Sequence, residues 1–397
     1  MYGMNSAAKD YDGFNKYIRI TDISETSNKF IPNPLTSPDG DLEDKYKLKK
    51  GDIVFARTGA STGKTYLYDD NDRNLYFAGF LIKFHIDNAD PKFIFYNTLK
   101  EEYLNWVSVM SVRSGQPGIN SNEYKKLPII LPSLDEQNKI SNFLTSIDKK
   151  IDLLERKHQF YQEFKKFLMQ QIFTQKLRFN FNDAWKTVKI KDIFDERSEK
   201  GFLDLELLSV TLNDGVIKRS EIESKDNSNE NKSNYKHVLP GDIVYNSMRM
   251  WQGASGVSPY EGIVSPAYTI LIPKNVYSKY FGYYFKTNEM VYQFKKYSQG
   301  LTSDTWNLKY PLISEIKIKI PSIEEQKEIT NVFEIMDEKI KILQNNIDEL
   351  TTFKKGLLQQ MFVVRINWRC NFKLAKSPSF NKHLLILKNK IIFIIIK

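Results

Sequence analysis

The sequence LPSLDEQ at residues 131–137 returns as IPSIEEQ at residues 320–326. The later segments QQIF, at residues 170–173, and QQMF, at residues 359–362, form a second matching pair. Both pairs are 189 positions apart (320 − 131 and 359 − 170), so the segment they enclose has the same length in both halves of the chain. A repeat at a fixed offset predicts one structural unit that is built twice.

Each copy of this repeat predicts one long helix. A proline ends the strand before it, and Ser133 or Ser322 then caps the helix. We expect Glu136 and Glu325 to reach back to the cap, as in a capping box. Each helix should contain roughly 40 residues and extend about 60 Å, at a rise of 1.5 Å per residue.

Apolar residues recur along both helices at alternating steps of four and three, an average of 3.5 residues. This spacing is typical of a coiled-coil seam rather than an ordinary amphipathic helix. By itself, it is equally compatible with an interaction stalk that has no further role. The predicted seam consists of Ile147, Ile151, Leu154, His158, Tyr161, Lys165, Leu168 and Ile172 in the first copy, and Met336, Ile340, Leu343, Ile347, Leu350, Lys354, Leu357 and Met361 in the second.

Charge indicates that the two helices pair with each other. Residues 132–178 contain nine basic and six acidic side chains, and residues 321–362 contain five and eight. The resulting charges of +3 and −3 favour mutual pairing over self-pairing. Two copies of one unit tend to pack about a pseudo-two-fold axis, which predicts antiparallel helices with the preceding domains at opposite ends.

Composition indicates the cellular compartment. The 397 residues are 41% hydrophobic, enough for two cores besides the helices. Cys370 is the only cysteine, so no disulfide forms within the chain, and the start of the sequence has no apolar signal segment. We therefore expect a reducing, cytosolic location.

The net charge of +10 is concentrated in the last part of the sequence. Residues 363–397 hold eight basic and no acidic side chains, which leaves 50 basic (58 − 8) and 48 acidic residues elsewhere. A basic groove must therefore come from local clustering. We expect this tail to be a non-native extension rather than a membrane anchor, because its apolar run is shorter than the ~20 residues of a span and contains Lys388 and Lys390.

The segments before the two helices predict similar domains rich in β-structure. In the first, we expect strands at 17–20, 52–57, 76–84 and 127–131 and a helix within 91–112. In the second, residues 241–244, 268–272, 280–297 and 298–300 match residues 51–54, the strand ending at 84, the helix at 93–112 and residues 113–116. The loops between these landmarks differ almost completely, as expected if the loops carry specificity.

One element has no counterpart in the first domain. Residues 185–194 predict a strand that runs into a short helix, and the equivalent segment would fall before residue 1. We therefore expect an unpaired sheet edge in the first domain. The predicted organisation is two β-rich domains at 1–131 and 179–320, helices at 132–178 and 321–362, and the tail at 363–397.

The sequence contains no constellation that supports catalysis. Residues 59–65 (GASTGKT) resemble a phosphate-binding P-loop, but three residues separate the glycines where the cradle needs four. A nuclease-like set of acids and a lysine at residues 39–45 falls in a turn-rich segment. The four histidines are isolated from one another and from Cys370, so no zinc spacing is present.

Two variable domains, each followed by a helix with a Pro-Ser-x-x-Glu-Gln start and a Gln-Gln-x-Phe end, resemble the specificity subunit of type I restriction-modification systems. The resemblance covers about residues 1–362 and implies an α+β fold, with two target recognition domains separated by a long antiparallel two-helix coiled coil. It implies that each domain binds half of a split double-stranded DNA target and that the helices set the spacing between the halves.

The resemblance also implies partners and an absence of chemistry. Two methyltransferase subunits, which carry S-adenosylmethionine, and nuclease-translocase subunits would perform adenine methylation and restriction. The chain itself would be a non-catalytic subunit without a cofactor or metal. The missing opening strand and the unmatched tail depart from the family pattern.

Candidate base-contacting residues are polar or basic and lie on the loops that follow matched elements. Arginine favours guanine, whereas glutamine and asparagine favour adenine. The alternative for each residue is a solvated or turn-forming side chain. The candidates are Arg57, Thr58, Ser61, Lys64, Arg113, Ser114 and Gln116 in the first domain, and Asn246, Arg249, Trp251, Gln252, Gln299 and Thr302 in the second.

Two other classes of function are alternatives to this interpretation of the sequence. A non-catalytic coiled-coil scaffold with two protein-binding domains would have no affinity for DNA. A self-contained DNA enzyme would need a nuclease or methylase motif, and the sequence shows none.

Overall fold

The computed structural model describes residues 1–362 except 213, 224–227, 229–230 and 303–304. The predicted tail at 363–397 thus lies outside the described residues. The chain forms two compact units, and both predicted helices contribute to each of them. Within the described residues, unit 1 comprises Met1–Asp148 and 351–362, and unit 2 comprises Lys149–Leu350.

Unit 1 consists mainly of short strands, as its β-branched and aromatic runs predict. They are β1 (Ala7–Asp10), β2 (Lys16–Ile18), β3 (Thr36–Asp39), β4 (Asp52–Ala56), β5 (Thr65–Leu67), β6 (Leu75–Phe77) and β7 (Leu81–His85). The antiparallel order β5-β4-β7 places β4, which is buried throughout, in the centre. β1 pairs with β3, and β2 pairs with β6. The single strand expected at 76–84 is therefore two strands, β6 and β7, which belong to different sheets.

The helices of unit 1 are shorter than predicted, except for the long one. They are α1 (Pro91–Asn97), α2 (Glu101–Met110), α3 (Ser121–Tyr124) and α4 (Leu134–Phe173), of which α4 continues into unit 2. The helix expected within 91–112 is interrupted at 98–100. There the Thr98 hydroxyl donates to the carbonyl oxygen of Phe95 at 2.7 Å and closes the first helix.

Unit 2 repeats this scheme with additional strands. In chain order it contains β8 (Lys186–Lys189), α5 (Ile190–Ile193), β9 (Phe194–Glu196), β10 (Leu208–Thr211), β11 (Gly215–Lys218), β12 (Lys236–Val238), β13 (Ile243–Asn246), β14 (Ser255–Val257), β15 (Gly262–Val264), β16 (Tyr268–Pro273), α6 (Ser278–Tyr284), α7 (Asn288–Tyr297), α8 (Tyr310–Ile313), β17 (Lys317–Ile320) and α9 (Ile323–Met361). The main sheet has the order β14-β13-β16-β9. Its two central strands, β13 and β16, correspond to β4 and β7 of unit 1.

The predicted opening strand of unit 2 is confirmed, and it explains a wrong prediction in unit 1. β8 runs into α5 and pairs antiparallel with β17, with Val188 opposite Ile318. Residues 127–131 correspond to β17 but form no strand, and Ile130 is 82% exposed. A strand needs a hydrogen-bonding neighbour, and no described segment of unit 1 forms β-pairs with these residues.

The two long helices pack antiparallel along the predicted seam. In unit 2, Leu154 of α4 packs against Leu343 and Ile347 of α9. In unit 1, Ile140 and Leu144 share a core with Leu358. All predicted seam positions are buried or half-buried.

The lysines in the seam have a specific role. In unit 2, Lys165 donates to Asp337 at 2.5 Å, and its ammonium lies 4.9 Å from the centre of the Tyr283 ring. Tyr283 also donates to Asp337, at 2.8 Å. The same arrangement occurs in unit 1, with Lys354, Asp148 and Tyr96. In each unit, an ion pair between the two helices thus also contacts a tyrosine of the globular part. This contact attaches the helix pair to that part.

Only one of the two hydrogen bonds of each predicted capping box is present among the described residues. The N–H groups of Glu136 and Glu325 donate to the hydroxyls of Ser133 and Ser322, both at 3.3 Å. Glu325, however, does not reach back to its cap. Its buried carboxylate instead accepts hydrogen bonds from Arg178, at 2.8 and 2.9 Å, and from the indole of Trp185, because charge pairing satisfies a buried carboxylate better than a capping contact.

The glutamine of the repeated motif ties each long helix to its domain. Gln137 donates to the carbonyl oxygen of Pro132 at 2.8 Å and accepts from the backbone N–H of Asp90, the cap of α1, at 3.0 Å. The same two bonds occur in unit 2, where Gln326 contacts Pro321 and Tyr277, the cap of α6. These bonds give a physical reason for the repeated glutamine.

Candidate nucleic-acid interface

Two loops of unit 1 lie side by side at the end of the central sheet. Residues 57–64 follow β4, and residues 111–118 follow α2. The N–H of Gly59 donates to the carbonyl oxygen of Pro117 at 2.9 Å. Gly59 has a φ of +73°, and a Cβ built there would lie 3.0 Å from Nε2 of Gln116, so glycine permits this close approach.

Two buried tyrosines of the core form hydrogen bonds with the backbone at the ends of the first loop. The hydroxyl of Tyr124 donates to the carbonyl oxygen of Ala56, and that of Tyr103 donates to Gly63, both at 2.7 Å. Burial raises the pKa of both tyrosines, so both hydroxyls stay protonated and act as donors. The backbone of the first loop is therefore fixed at both of its ends by the core.

In unit 2, the candidate loop at 246–252 contacts a residue just after the candidate loop at 299–302. Residues 246–252 follow β13, and residues 299–302 follow α7. The rings of Trp251 and Trp306 make an edge-to-face contact with centroids 5.4 Å apart. Gln299 and Asn307 exchange backbone hydrogen bonds at 3.0 and 2.8 Å.

One backbone hydrogen bond joins the paired loops in both units. The N–H of Ile119 donates to the carbonyl oxygen of Arg57 at 2.9 Å, and that of Leu308 donates to Ser247 at 2.8 Å. The acceptors are 190 positions apart, and the donors are 189 apart. Both units thus share this part of their backbone frame.

Two basic candidates of unit 1 are engaged within the protein. Arg113 donates to both carboxylate oxygens of Glu123 at 2.6 Å and to backbone carbonyls at the end of α2. Lys64 donates to Glu25 at 2.6 Å, and this hydrogen bond lowers the pKa of the Glu25 carboxyl. Both cations would have to exchange these partners before they contact DNA.

The other candidates of unit 1 differ in accessibility. Ser114 and Gln116 are exposed, whereas Thr58 and Ser61 are half-buried. Arg57 is half-buried, with its Nε donating to the carbonyl oxygen of Gly79 at 3.1 Å.

In unit 2, two candidates stabilise their own loop. The side-chain oxygen of Asn246 accepts from the N–H of Met248 at 3.0 Å, and the indole of Trp251 donates to the Met248 carbonyl oxygen at 3.1 Å. Both residues therefore show the turn-forming role that was the alternative for them.

The remaining candidates of unit 2 are on the surface. Arg249 and Gln252 are exposed, and their side chains have no hydrogen bond to any described residue. Gln299 and Thr302 are also exposed, and the Thr302 hydroxyl lies 3.4 Å from that of Thr305.

Of the aromatic residues of these surfaces, sequence reasoning identified Trp251 but missed Tyr2, Phe80 and Trp306. Phe80 and Tyr2 flank Arg57 in unit 1, and Lys295 lies over the ring of Trp306 in unit 2. An exposed aromatic next to a basic loop was the available signal, since such rings hold cations by cation–π contact.

No group of three or more metal-ligating side chains occurs among the residues with described coordinates. Their helices likewise include none with the length and apolarity to cross a membrane.

The fold defines a protein with a duplicated β-rich domain and two long paired helices. Residues 4–159 and 182–352 each match the model of the type I restriction modification DNA specificity domain. The chain belongs to this family and contains two copies of its domain.

Known proteins are similar over most of the chain. The specificity subunit of the type I restriction enzyme MjaVIII from Methanocaldococcus jannaschii is 23% identical over 354 residues, which cover 80% of each chain. That of HindI from Haemophilus influenzae is 25% identical over 41% of this chain and 37% of its own length. The crystal structure of a type I S subunit from M. genitalium superposes with a TM-score of 0.55 at 16% identity, covering 90% and 93% of the two chains. At this low sequence identity, the structural similarity shows that the two proteins share a fold.

Proposed function

We propose that this chain is the DNA-recognition subunit of a type I restriction-modification complex and that it binds a bipartite double-stranded target. Each domain contacts one half of the target through its paired loops. Unit 1 uses the loops at 57–64 and 111–118, and unit 2 uses those at 246–252 and 299–302.

The observation that carries this proposal is that both units make the same backbone hydrogen bonds at these loops but have different side chains there. The N–H of Arg57 donates to Phe80 at 3.0 Å, and the equivalent N–H of Ser247 donates to Ala267 at 3.2 Å. An arginine and a phenylalanine in one unit thus occupy the positions of a serine and an alanine in the other. Fixed frames with different loop side chains suit two domains that bind different base sequences, because base edges are recognised by side chains.

The proposed partners follow from the family to which the chain belongs. Adenine methylation and cleavage would be performed by two methyltransferase subunits and by nuclease-translocase subunits, in the cytoplasm. The long helices would act as a spacer between the two halves of the target. This chain would contribute sequence selection and no catalytic group, cofactor or metal.

Methylation mapping tests the proposal against a coiled-coil scaffold with two protein-binding domains. The chain is produced together with its cognate methyltransferase subunit, and methylated adenines are mapped across a genome. The proposal predicts one bipartite motif with a fixed gap. A scaffold would give no motif that depends on this chain, even when it captures the methyltransferase.

The isolated chain is expected neither to methylate nor to cleave DNA, because its sequence contains no methylase or nuclease motif. The measurement is transfer of a labelled methyl group and nicking of a plasmid, with the complete complex as the positive control. Activity from chain freed of every other subunit would contradict this expectation.

Arg249→Ala and Gln252→Ala are expected to relax one position of one half-site. Their side chains are exposed and unpartnered among the described residues, so a bidentate contact with a base edge is open to them. Loss of such a contact costs about 1–3 kcal/mol of discrimination. The matched control is Lys186→Ala, which removes an exposed cation from β8 of the same unit. An unchanged motif at an unchanged level of methylation in both variants would show that neither residue contacts bases.

A further inference from the structure

Arg57 is held in a fixed orientation by four groups of unit 1. Its N–H donates to the carbonyl oxygen of Phe80, and its Nε donates to that of Gly79 at 3.1 Å. The guanidinium carbon lies 5.1 Å from the centre of the Tyr2 ring and 5.8 Å from that of the Phe80 ring. Both rings are partly open to solvent, at 42% and 55% exposure. We name this arrangement of Tyr2, Arg57, Gly79 and Phe80 the arginine clamp.

The clamp leaves the outer edge of the guanidinium unused. The two terminal nitrogens of Arg57 have no hydrogen-bond partner among the residues that the structure describes. Arg57 lines a cavity of about 700 Å³, as do both aromatic rings. Arg19 lines the same cavity, but two of its nitrogens donate to Asp22 at 2.9 and 2.8 Å. Arg57 is therefore the arginine at this cavity whose two terminal nitrogens both lack a hydrogen-bond partner within the described ranges.

The fold does not require an arginine at this position. In unit 2 the equivalent residue is Ser247, whose buried hydroxyl bonds that of Thr269 at 2.9 Å, and the residue equivalent to Phe80 is Ala267. Both units keep the same backbone hydrogen bond with these very different side chains. An arginine with exposed aromatic neighbours and unused donors is therefore explained better by a ligand than by packing.

We propose that the arginine clamp binds the major-groove edge of a guanine in the half-site of unit 1, an inference that rests on the proposed function. Guanine presents two acceptors there, O6 and N7, which match two parallel N–H donors of arginine. A guanidinium whose plane is already fixed loses less conformational freedom on binding. Arginine also forms bidentate pairs with phosphate oxygens, but a phosphate contact carries no base preference, so a preference for guanine distinguishes the two ligands. Phe80 and Tyr2 act as positioning residues that hold Arg57.

The test uses the complete methyltransferase complex and compares Arg57→Lys with Arg57→Gln. The half-site of unit 1 is the one that the Arg249 and Gln252 variants leave unchanged. Methylation rates are measured on duplexes that carry each of the four bases at every guanine position of that half-site. Both variants are expected to lose about 5- to 150-fold of the preference for guanine at one position, and that position only. Arg73→Lys, at an exposed arginine of unit 1 outside both loops, is the matched control.

The positioning role has its own comparison. Phe80→Ala is expected to weaken the guanine preference at the same position, whereas Phe80→Tyr, which keeps a ring over the guanidinium, is expected to retain it. A purely structural role would alter thermal stability and leave base preference unchanged. Thermal unfolding of each complex therefore accompanies the rate measurements.

The outcomes separate this inference from the proposed function. If the complex containing the unsubstituted chain methylates no bipartite motif, the proposed function itself fails. If a bipartite motif is present but Arg57→Lys keeps the same guanine preference, or the half-site contains no guanine, only the clamp inference is overturned.

Discussion

Phe333→Ala is expected to destabilise unit 2 by about 3–5 kcal/mol, the range for truncating a buried phenylalanine. Phe333 is fully buried and lies where three elements of unit 2 meet. Its ring is 5.8 Å from that of Phe173 on α4 and 5.1 Å from that of Tyr283 on α6. Its removal leaves a cavity between both long helices and the globular part, and rigid helices collapse into such a cavity only partly.

Urea denaturation followed by tryptophan fluorescence measures this effect. Trp185, Trp251 and Trp306 all lie in unit 2, so the signal reports mainly on that unit. The matched control is Ile335→Ala, two residues away on the same helix but 55% exposed, which is expected to cost less than about 1 kcal/mol. Equal unfolding midpoints for the two variants would show that Phe333 does not hold these elements together.

The sequence predicted the long helices well because their signal is periodic. Seam positions such as Leu154 and Leu343 are recognisable from a spacing of 3.5 residues, whatever surrounds them. The repeat offset then aligned the two domains, since β4 and β13 share the same Gly-Asp-Ile-Val start. Local pattern and internal symmetry were sufficient for the fold class.

Contacts between distant segments were the part that local patterns could not supply. Glu325 satisfies the capping-box pattern, yet its carboxylate pairs with Arg178, which is 147 positions away. Residues 127–131 have strong β-propensity but form no strand, because propensity does not provide a neighbouring strand. The ion pair of Lys165 with Asp337 was hidden in the same way, although the offset of 189 repeats both residues at Lys354 and Asp148.

At the candidate interface, too, local sequence patterns predicted part of the structure, and contacts between distant segments determined the rest. The sequence identified the loops, because polar and basic residues follow matched strands and helices. It gave no means of separating Arg113, whose guanidinium is bonded to Glu123, from Arg57, whose terminal nitrogens have no hydrogen-bond partner in the part of the chain that the structure describes. Only the surrounding side chains determine which cation is available to a ligand. The assignment of each residue to a base therefore remains a prediction for mutagenesis.

Lengthening both helices by four residues is expected to change the gap between the half-sites by one or two base pairs. We propose insertions after Leu154 and after Leu343, which pack together in unit 2. Four residues add about 6 Å of helix, and stacked base pairs rise about 3.4 Å. On each helix, the added turn falls between the Lys165–Asp337 pair and the Lys354–Asp148 pair, so both attachments of helix to domain remain intact.

Methylation mapping of a strain that carries these insertions, together with its partner subunits, measures the gap directly. The bases of both half-sites should stay the same, because the insertions leave all four loops untouched. Four residues do not complete a heptad, so some stability will be lost with the disturbed seam, and a seven-residue insertion that preserves the seam is the control. An active complex that kept the original gap, or that changed its half-site bases instead, would show that the helices do not set the spacing.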